Sequence, residues 1–438
     1  MSNSTTTPDD HPPAWLRWLR RAVRVERAEA GAMLAAFLYF FFLLCGYYIL
    51  RPLRDEMGIV GGVKNLPWLF TGTFIAMLVA VPLFGAAAAR LPRRTLVPAV
   101  YGFFIMNIGI FWVLFQDSTE HASTARAFFI WLSVFNLFVV SVFWSFMVDI
   151  FRSEQGKRLF GFIAAGGTTG AVTGPLLTTQ LVGSLGPVNL LPVSGAILAC
   201  ALGCVLWLNR WAERQAASTH AKSTEGALGG SIWAGFTLTL RSRYLLAVAA
   251  FIWIFTTLAT FVYFEQAHIV KGALSDSAAR TVLFAKIDLA VNTLTILTQI
   301  FITGRLLTRF GVTPTLSAMP VIATAGFALL AALPGLAVLI GFQVVRRAGD
   351  YAITRPAREM LFTVVDRETK YKAKNFIDTV VYRGGDAIAG WLFAGLGALG
   401  LGTAGIAAAA VPLCLAWMAL AVWLGRAQKQ RAETEPAA

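Results

Sequence analysis

The sequence predicts an all-α polytopic membrane protein of twelve transmembrane helices arranged as two pseudo-symmetric six-helix bundles. Three observations predict it. Twelve stretches are apolar over about the 20 residues that a helix needs to cross a bilayer. Basic residues gather in alternate connections, and the two halves of the chain echo each other at half its length. Composition agrees, with 57% hydrophobic and only 14% charged residues, against about 25% charged in soluble domains. Of the 37 Lys and Arg, 27 fall on one side of the expected topology, leaving Lys64, Arg126, Lys271 and Arg280 in connections on the other. That bias places both termini in the cytoplasm and the protein in a plasma membrane, the inner membrane of a bacterium. A net charge of +14 would suggest nucleic acid in a soluble chain. Here it serves topology and attraction to anionic headgroups, so no nucleic-acid partner is expected.

In chain order, residues 1–29 read as a cytoplasmic tail. Its first 13 residues are polar and Pro-containing, the composition of disorder. From Trp15 to Arg27, Trp and Leu share one helical face opposite Arg17, Arg20, Arg21, Arg24 and Arg27, an amphipathic helix on the leaflet surface. Six spans follow, at 30–53, 66–89, 95–115, 127–150, 159–183 and 189–209, within an N-terminal bundle over 30–210. The first apolar stretch is too long for a cleavable signal peptide and lacks a small-residue cleavage site. The fifth span carries Gly161, Gly166, Gly167, Gly170 and Gly174, which suit a hinge or a close packing surface. Residues 211–243 form the longest interior polar interval, a cytoplasmic linker too short for a domain. Six more spans, at 244–266, 281–302, 314–333, 335–355, 376–397 and 402–424, make a C-terminal bundle over 244–425, with a cytoplasmic tail at 426–438.

Charged side chains inside spans are costly and mark cavities or partners. The cations are Arg51, Arg54, Lys286, Arg346, Arg347 and Arg383, and the acids are Asp55, Glu56, Glu265, Asp288, Asp350, Asp378 and Asp386. They cluster on spans 1, 7, 8, 10 and 11. Three pairs stand at helical contact distance, Arg51 with Asp55, Arg346 with Asp350 and Arg383 with Asp386, and such pairs can neutralise themselves. The Arg346–Arg347 doublet still leaves a surplus, and guanidinium groups bind oxyanions through paired hydrogen bonds. The acids suit proton coupling or charge pairing with those arginines.

The echo between the halves is a short motif. Gly85 to Arg90 follows span 2 and Gly304 to Arg309 follows span 8; each residue lies 219 positions from its counterpart, half of 438. The second copy, Gly304-Arg-Leu-Leu-Thr-Arg309-Phe-Gly311, resembles the loop signature of the major facilitator superfamily. Both copies lack that signature's Asp, with Ala89 and Thr308 in its place. The resemblance implies a cytoplasmic gate in which Asp149 serves Arg90 or Arg93, and Asp366 or Glu368 serves Arg305 or Arg309. Solvated loop charges are the alternative.

Three segments also resemble the nucleotide transporter family, the ATP/ADP translocases of plastids and intracellular bacterial parasites. They are Tyr48-Ile-Leu-Arg51-Pro-Leu-Arg54-Asp55; Phe143-Trp144-Ser-Phe146 with Asp149-Ile150 and Glu154-x-x-Lys157-Arg158; and Pro356-Ala-Arg358-Glu359-Met360 followed by Asp366-x-Glu368-x-Lys370-x-Lys372-x-Lys374, Ile377-Asp378 and Arg383. The resemblance implies a secondary active transporter with alternating access for an anionic or phosphorylated solute. Arg51, Arg54 and Arg383 would contact the solute with help from Arg346 or Arg347. Asp55, Glu265, Lys286, Asp288, Asp350, Asp378 and Asp386 would serve coupling or charge pairing. One departure matters: the family's Arg-x-Gly-Lys reads Arg383-Gly-Gly-Asp386 here, which disfavours a triphosphate.

Two other readings stay open at this level. One is a proton-coupled exporter of cationic or amphipathic compounds that uses the acids. The other is a membrane scaffold or lipid-handling protein built on the basic loop at Lys370, Lys372 and Lys374. An enzyme is not expected, since His11, His121, His220 and His268 are scattered and no phosphate-loop motif appears. Cys45, Cys200, Cys204 and Cys414 read as membrane-buried thiols, with no metal site and no cofactor. The expected partners are therefore the bilayer, a small anionic solute and a coupling proton, with the oligomeric state left open.

Overall fold

The computed structural model describes residues 27–116, 121–151, 153–217 and 232–434. The expected amphipathic segment before Arg27 and the middle of the expected linker lie outside them. Among the described residues there is helix and no strand. Helix α1 spans Arg27–Val60 and ends where Gly62 turns the chain at φ +96°, a conformation that favours glycine. Pro67 then opens α2, Leu66–Arg90, in the first turn, where a missing N–H costs nothing. Helices α3 (Arg93–Leu114), α4 (His121–Ile150), α5 (Ser153–Leu185) and α6 (Leu190–Ala217) complete the N-terminal half.

The C-terminal half opens with a short α7 (Ile232–Arg241) and a long α8 (Arg243–Ala273), which Ser242 caps by accepting the Leu245 N–H. Asp276 caps α9 (Ser277–Thr298) through the Ala279 N–H at 2.8 Å. A π turn at Gln299–Thr303 joins α9 to α10 (Gly304–Phe310), and α11 covers Val312–Ala332. Helix α12 (Leu336–Gly349) runs through a second π turn, Asp350–Thr354, into α13 (Arg355–Leu361). Helix α14 (Arg367–Phe376) runs through a third, Ile377–Val381, into α15 (Tyr382–Ala398), and α16 covers Thr403–Thr434.

Ten helical stretches among the described residues are long and apolar enough to cross a membrane. The expected spans at 335–355 and 376–397 are helical too, but Arg346, Arg347 and Asp350 on one, and Arg383 and Asp386 on the other, interrupt their apolar windows. Length and composition thus mark ten spans rather than twelve. The protein is a multi-pass membrane protein.

Among the described residues two large apolar cores divide the molecule, with a small third one at Cys45, Ile49, Val182 and Leu190. One gathers side chains between Ala32 and Leu208, among them Tyr39, Phe128, Phe135 and Phe143. The other gathers side chains from Tyr244 to Leu424, among them Phe251, Phe264, Phe327 and Trp417, and takes in Leu66, Leu69 and Phe129 from the first half. Within the first half, α1 lies against α5. A Cβ at Gly166 or Gly170 would collide with the backbone carbonyl of Phe37 or Phe41, and one at Gly174 would stand 2.6 Å from the Cys45 oxygen. The α5 glycines are a packing surface, and their small size is what lets the two backbones approach. Between the halves, α9 packs on α1 and α5, and α15 packs on α2. Those contacts leave a central cavity between the two cores.

Candidate functional site

The cavity encloses about 990 Å³ of non-atom space, counting the part open to solvent, and both halves line it. From the first half come Arg51, Arg54 and Asp55 on α1, Phe70, Thr73 and Phe74 on α2, and Phe129 and Ser133 on α4. The second half adds Thr260 and Tyr263 from α8 and Gln343, Arg346 and Arg347 from α12. Asp350 and Tyr351 in the π turn, Arg355 on α13, and Tyr382, Arg383 and Asp386 on α15 also line it, as does Gln266 on α8. Helix period explains the α1 set: positions 51, 54 and 55 share one face, and Pro52 sits between them without ending the helix. On α12 the π turn widens the backbone by one residue per turn, which re-aims the side chains that follow.

The pairings run between helices more than within them. Arg347 Nη2 donates to Asp288 Oδ1 at 2.6 Å, while Arg51 Nε stands 3.6 Å from Asp288 Oδ2. Asp288 on α9 is thus shared by an arginine from each half. Among the described residues, neither Arg51 Nε nor Asp288 Oδ2 has a hydrogen-bond partner. Arg54 donates to Asp55 Oδ1 from Nη2 at 2.7 Å and from Nε at 3.1 Å, and the Tyr263 hydroxyl donates to the same oxygen at 3.0 Å. The expected pairing of Arg51 with Asp55 does not form, because Arg51 turns to Asp288 and Arg54 is the nearer donor. Nor does Arg346 pair with Asp350. The π turn starts at Asp350 and brings its carboxylate to Arg355, five residues on, at 3.3 Å. Arg346 instead donates twice to Gln343 Oε1, at 2.7 and 3.2 Å, and Gln343 Nε2 donates to Gln266 Oε1 at 2.8 Å. Arg383 and Asp386 do meet, at 3.5 Å, with Thr260 donating to Asp386 at 3.3 Å.

Aromatic rings sit beside the cations. Arg51, Arg54, Arg355 and Arg383 lie 4.4–5.5 Å from the ring centres of Tyr48, Phe129, Tyr351 and Tyr382. Such faces attract a guanidinium and keep it oriented without neutralising it.

The two halves are tied together near the end of α1 and the start of α9. There Arg280 at the start of α9 grips Glu56 on α1 through two bonds of 2.6 and 2.7 Å, and Glu56 is fully buried. Arg280 also donates to the carbonyls of Leu274 and Ser275, which fixes it in place. Trp391 donates to Thr71 at 3.0 Å and stacks edge-on with Trp68 at 4.8 Å. Exposure differs along the wall: the Arg51 side chain is 12% exposed and that of Arg355 is 49%.

Several expected residues lie elsewhere. Glu265 is buried, does not line the cavity, and has one carboxylate oxygen without a hydrogen-bond partner among the described residues. Lys286 is exposed on α9, off the cavity. Asp378 pairs with Arg358 at 3.3 Å outside the cavity lining. Arg90, Arg305 and Arg309 are exposed, and Asp366 caps α14 by accepting the Thr369 N–H at 2.9 Å. Asp149 lies near the end of α4. The side chains of Arg93 and Glu368 fall outside the described residues. Sequence reasoning missed Arg355, Gln343, Tyr263, Tyr351 and Tyr382 as wall residues, and the Glu56–Arg280 bond. Arg355 alone carried a signal, as a cation one turn beyond Asp350.

No family model matches the chain. Two curated relatives do. The ADP,ATP carrier protein 1 of Chlamydia muridarum is 22% identical over 92% of this chain and 89% of its own length. The protein of the same name from Chlamydia trachomatis is 23% identical over the same shares. This chain is similar to ADP,ATP carriers over nine-tenths of its length. Solved structures share the fold. The nucleoside transporter NupG matches with a TM-score of 0.63 at 15% identity, covering 91% of this chain and 98% of that one. A bacterial homologue of the iron transporter ferroportin, in an inward-facing state, matches at 0.62 with 12% identity, covering 92% and 98%. A POT family peptide transporter matches at 0.60 with 14% identity, covering 93% and 98%. The chain shares its fold with these transporters over more than nine-tenths of its length.

Proposed function

We propose that this protein is a secondary active transporter that moves an anionic or phosphorylated solute by alternating access. The observation that carries this reading is the cavity wall itself. Six arginines from both halves face one space, and only four aspartates stand among or beside them. Cations that are largely buried without a full counter-charge are costly, and a bound anion offsets that cost. The similarity to ADP,ATP carriers supports the same solute class. An exporter of cations is disfavoured, because each cavity aspartate already has an arginine within 4.0 Å.

In this reading the chain crosses the membrane twelve times as two six-helix bundles, over 30–210 and 244–425, joined by a cytoplasmic linker. Both termini are cytoplasmic, in a bacterial inner membrane. The form described here then has its outer side closed by Glu56–Arg280 and Trp68–Trp391, with the cavity reached from the cytoplasm. Arg51, Arg54, Arg346, Arg347 and Arg383 hold the solute, with Asp55, Asp288, Asp350 and Asp386 as their resting partners. Rocking of the halves would close the inner end, where Arg90, Arg305 and Arg309 meet acids such as Asp149 and Asp366. Glu265, buried without a full set of partners, is the position for a coupling proton.

The test is exchange in proteoliposomes. Vesicles holding the purified protein and loaded with unlabelled nucleotides, sugar phosphates or dicarboxylates should take up the matching labelled anion. Uptake of lipophilic cations driven by a proton gradient, with no anion exchanged, would overturn the reading.

A further inference from the structure

The proposal of an anionic solute rests on the sign of the cavity. Its magnitude says more. Six arginines line the space, Arg51, Arg54, Arg346, Arg347, Arg355 and Arg383. Against them stand Asp55, Asp350 and Asp386 on the wall and Asp288 just behind it. Lys286, Asp378 and the Glu56–Arg280 pair stay outside the count, because none of them lines the cavity or, as Asp288 does, pairs with an arginine that lines it. The wall is left with a formal excess of two positive charges.

The excess can be placed. Arg54, Arg355 and Arg383 each have their own aspartate within 2.7, 3.3 and 3.5 Å. Asp288 is committed by its hydrogen bond to Arg347 and only leans towards Arg51 at 3.6 Å. Arg346 has no described carboxylate within salt-bridge distance. Its partner is the neutral carbonyl oxygen of Gln343, whose amide donates in turn to Gln266, another wall residue. The side chains left short of charge are therefore Arg51 from the first half and Arg346 from the second. Both are largely removed from water, Arg346 at 8% exposure and the Arg51 side chain at 12%.

We infer that the solute is a dianion, and that Arg51 and Arg346, one from each half, take its two charges. This rests on the transporter reading above and narrows it. A guest with two charges brings the cavity to neutrality, whereas one with four would leave it as far from neutral as before, with the opposite sign. A guest held from both sides also couples its own binding to the approach of the halves, which alternating access needs. A phosphomonoester and a short dicarboxylate share this chemistry. The bidentate fork of a guanidinium fits either.

The experiment measures binding to the full-length purified protein by calorimetry, without magnesium, at about pH 8, above the second phosphate pKa of about 6. The probes are adenosine mono-, di- and triphosphate, glycerol phosphate and succinate. Tightest binding by a dianion is expected, with glycerol phosphate against succinate telling the phosphate from the carboxylate source. Arg346→Gln should weaken the best dianion at least about tenfold, the loss of one charge-assisted contact. Asp288→Asn adds one positive charge and should shift the preference towards the diphosphate. Asp386→Asn does the same at a separate point on the wall, so the test survives if one of the two fails to fold. Tightest binding of the triphosphate by the unaltered protein, or an order that neither Asn variant changes, overturns the dianion and leaves an anion transporter standing. Binding of none of the anions overturns both.

Discussion

Glu56 and Arg280 join the two halves of the chain through a fully buried carboxylate and a two-bonded guanidinium. They lie 224 residues apart, so this contact exists only when the halves meet at the end of α1. Removing one partner of a buried pair leaves the other uncompensated, at about 3–5 kcal/mol. Arg280→Gln should therefore push the population towards a form open at that end. Spin labels at Lys64→Cys and Lys271→Cys read this directly. A longer, broader distance distribution than in the parent is expected, and an unchanged one counts against the pair as the closing contact.

Arg54 and Arg383 face the cavity with an aspartate each. Replacing either by Ala removes a charged donor and strands an acid where an anion should sit. Each change should lower anion exchange in proteoliposomes by about ten- to a hundredfold, the worth of one or two charge-assisted hydrogen bonds. Normal exchange by both variants would remove them from the solute site.

Lys286 offers the opposite expectation. It is exposed and off the cavity, although only two residues from Asp288. Lys286→Gln should leave exchange within about twofold and melting within about 0.5 kcal/mol. A large loss of exchange would mean that α9 turns this face to the solute in another state.

The α5 glycines set a stability test. Gly170→Val drives a branched side chain into the α1 backbone at Phe41, whereas Gly161→Ala meets nothing within 4 Å. The first should destabilise by about 1–3 kcal/mol or more and the second hardly at all. Thermal unfolding of the two purified variants checks it; equal melting points would refute the close α1–α5 contact.

Much of the site was legible because charge in an apolar run is conspicuous. Arg51, Arg54, Arg346, Arg347 and Arg383 all reach the one cavity, as do Asp55, Asp350 and Asp386. Their partners were less legible. Spacing along a regular helix put Arg346 with Asp350, but a π turn begins at Asp350 and hands it to Arg355. Asp288 serves residues 237 positions before it and 59 after it, and no local pattern encodes such a pairing. The tyrosines and glutamines of the wall carried no signal at all, since in an aromatic-rich apolar helix they look like their neighbours.

What the amino-acid order settled alone was the solvent: long apolar runs can only satisfy their backbone as helices in lipid, and every intramembrane charge had to find a counter-charge or water. Which charge meets which was decided by the tertiary structure, because ion pairing falls off within a few ångströms and only packing sets those distances. The excess of cationic charge at the centre is thus a property of two halves placed face to face.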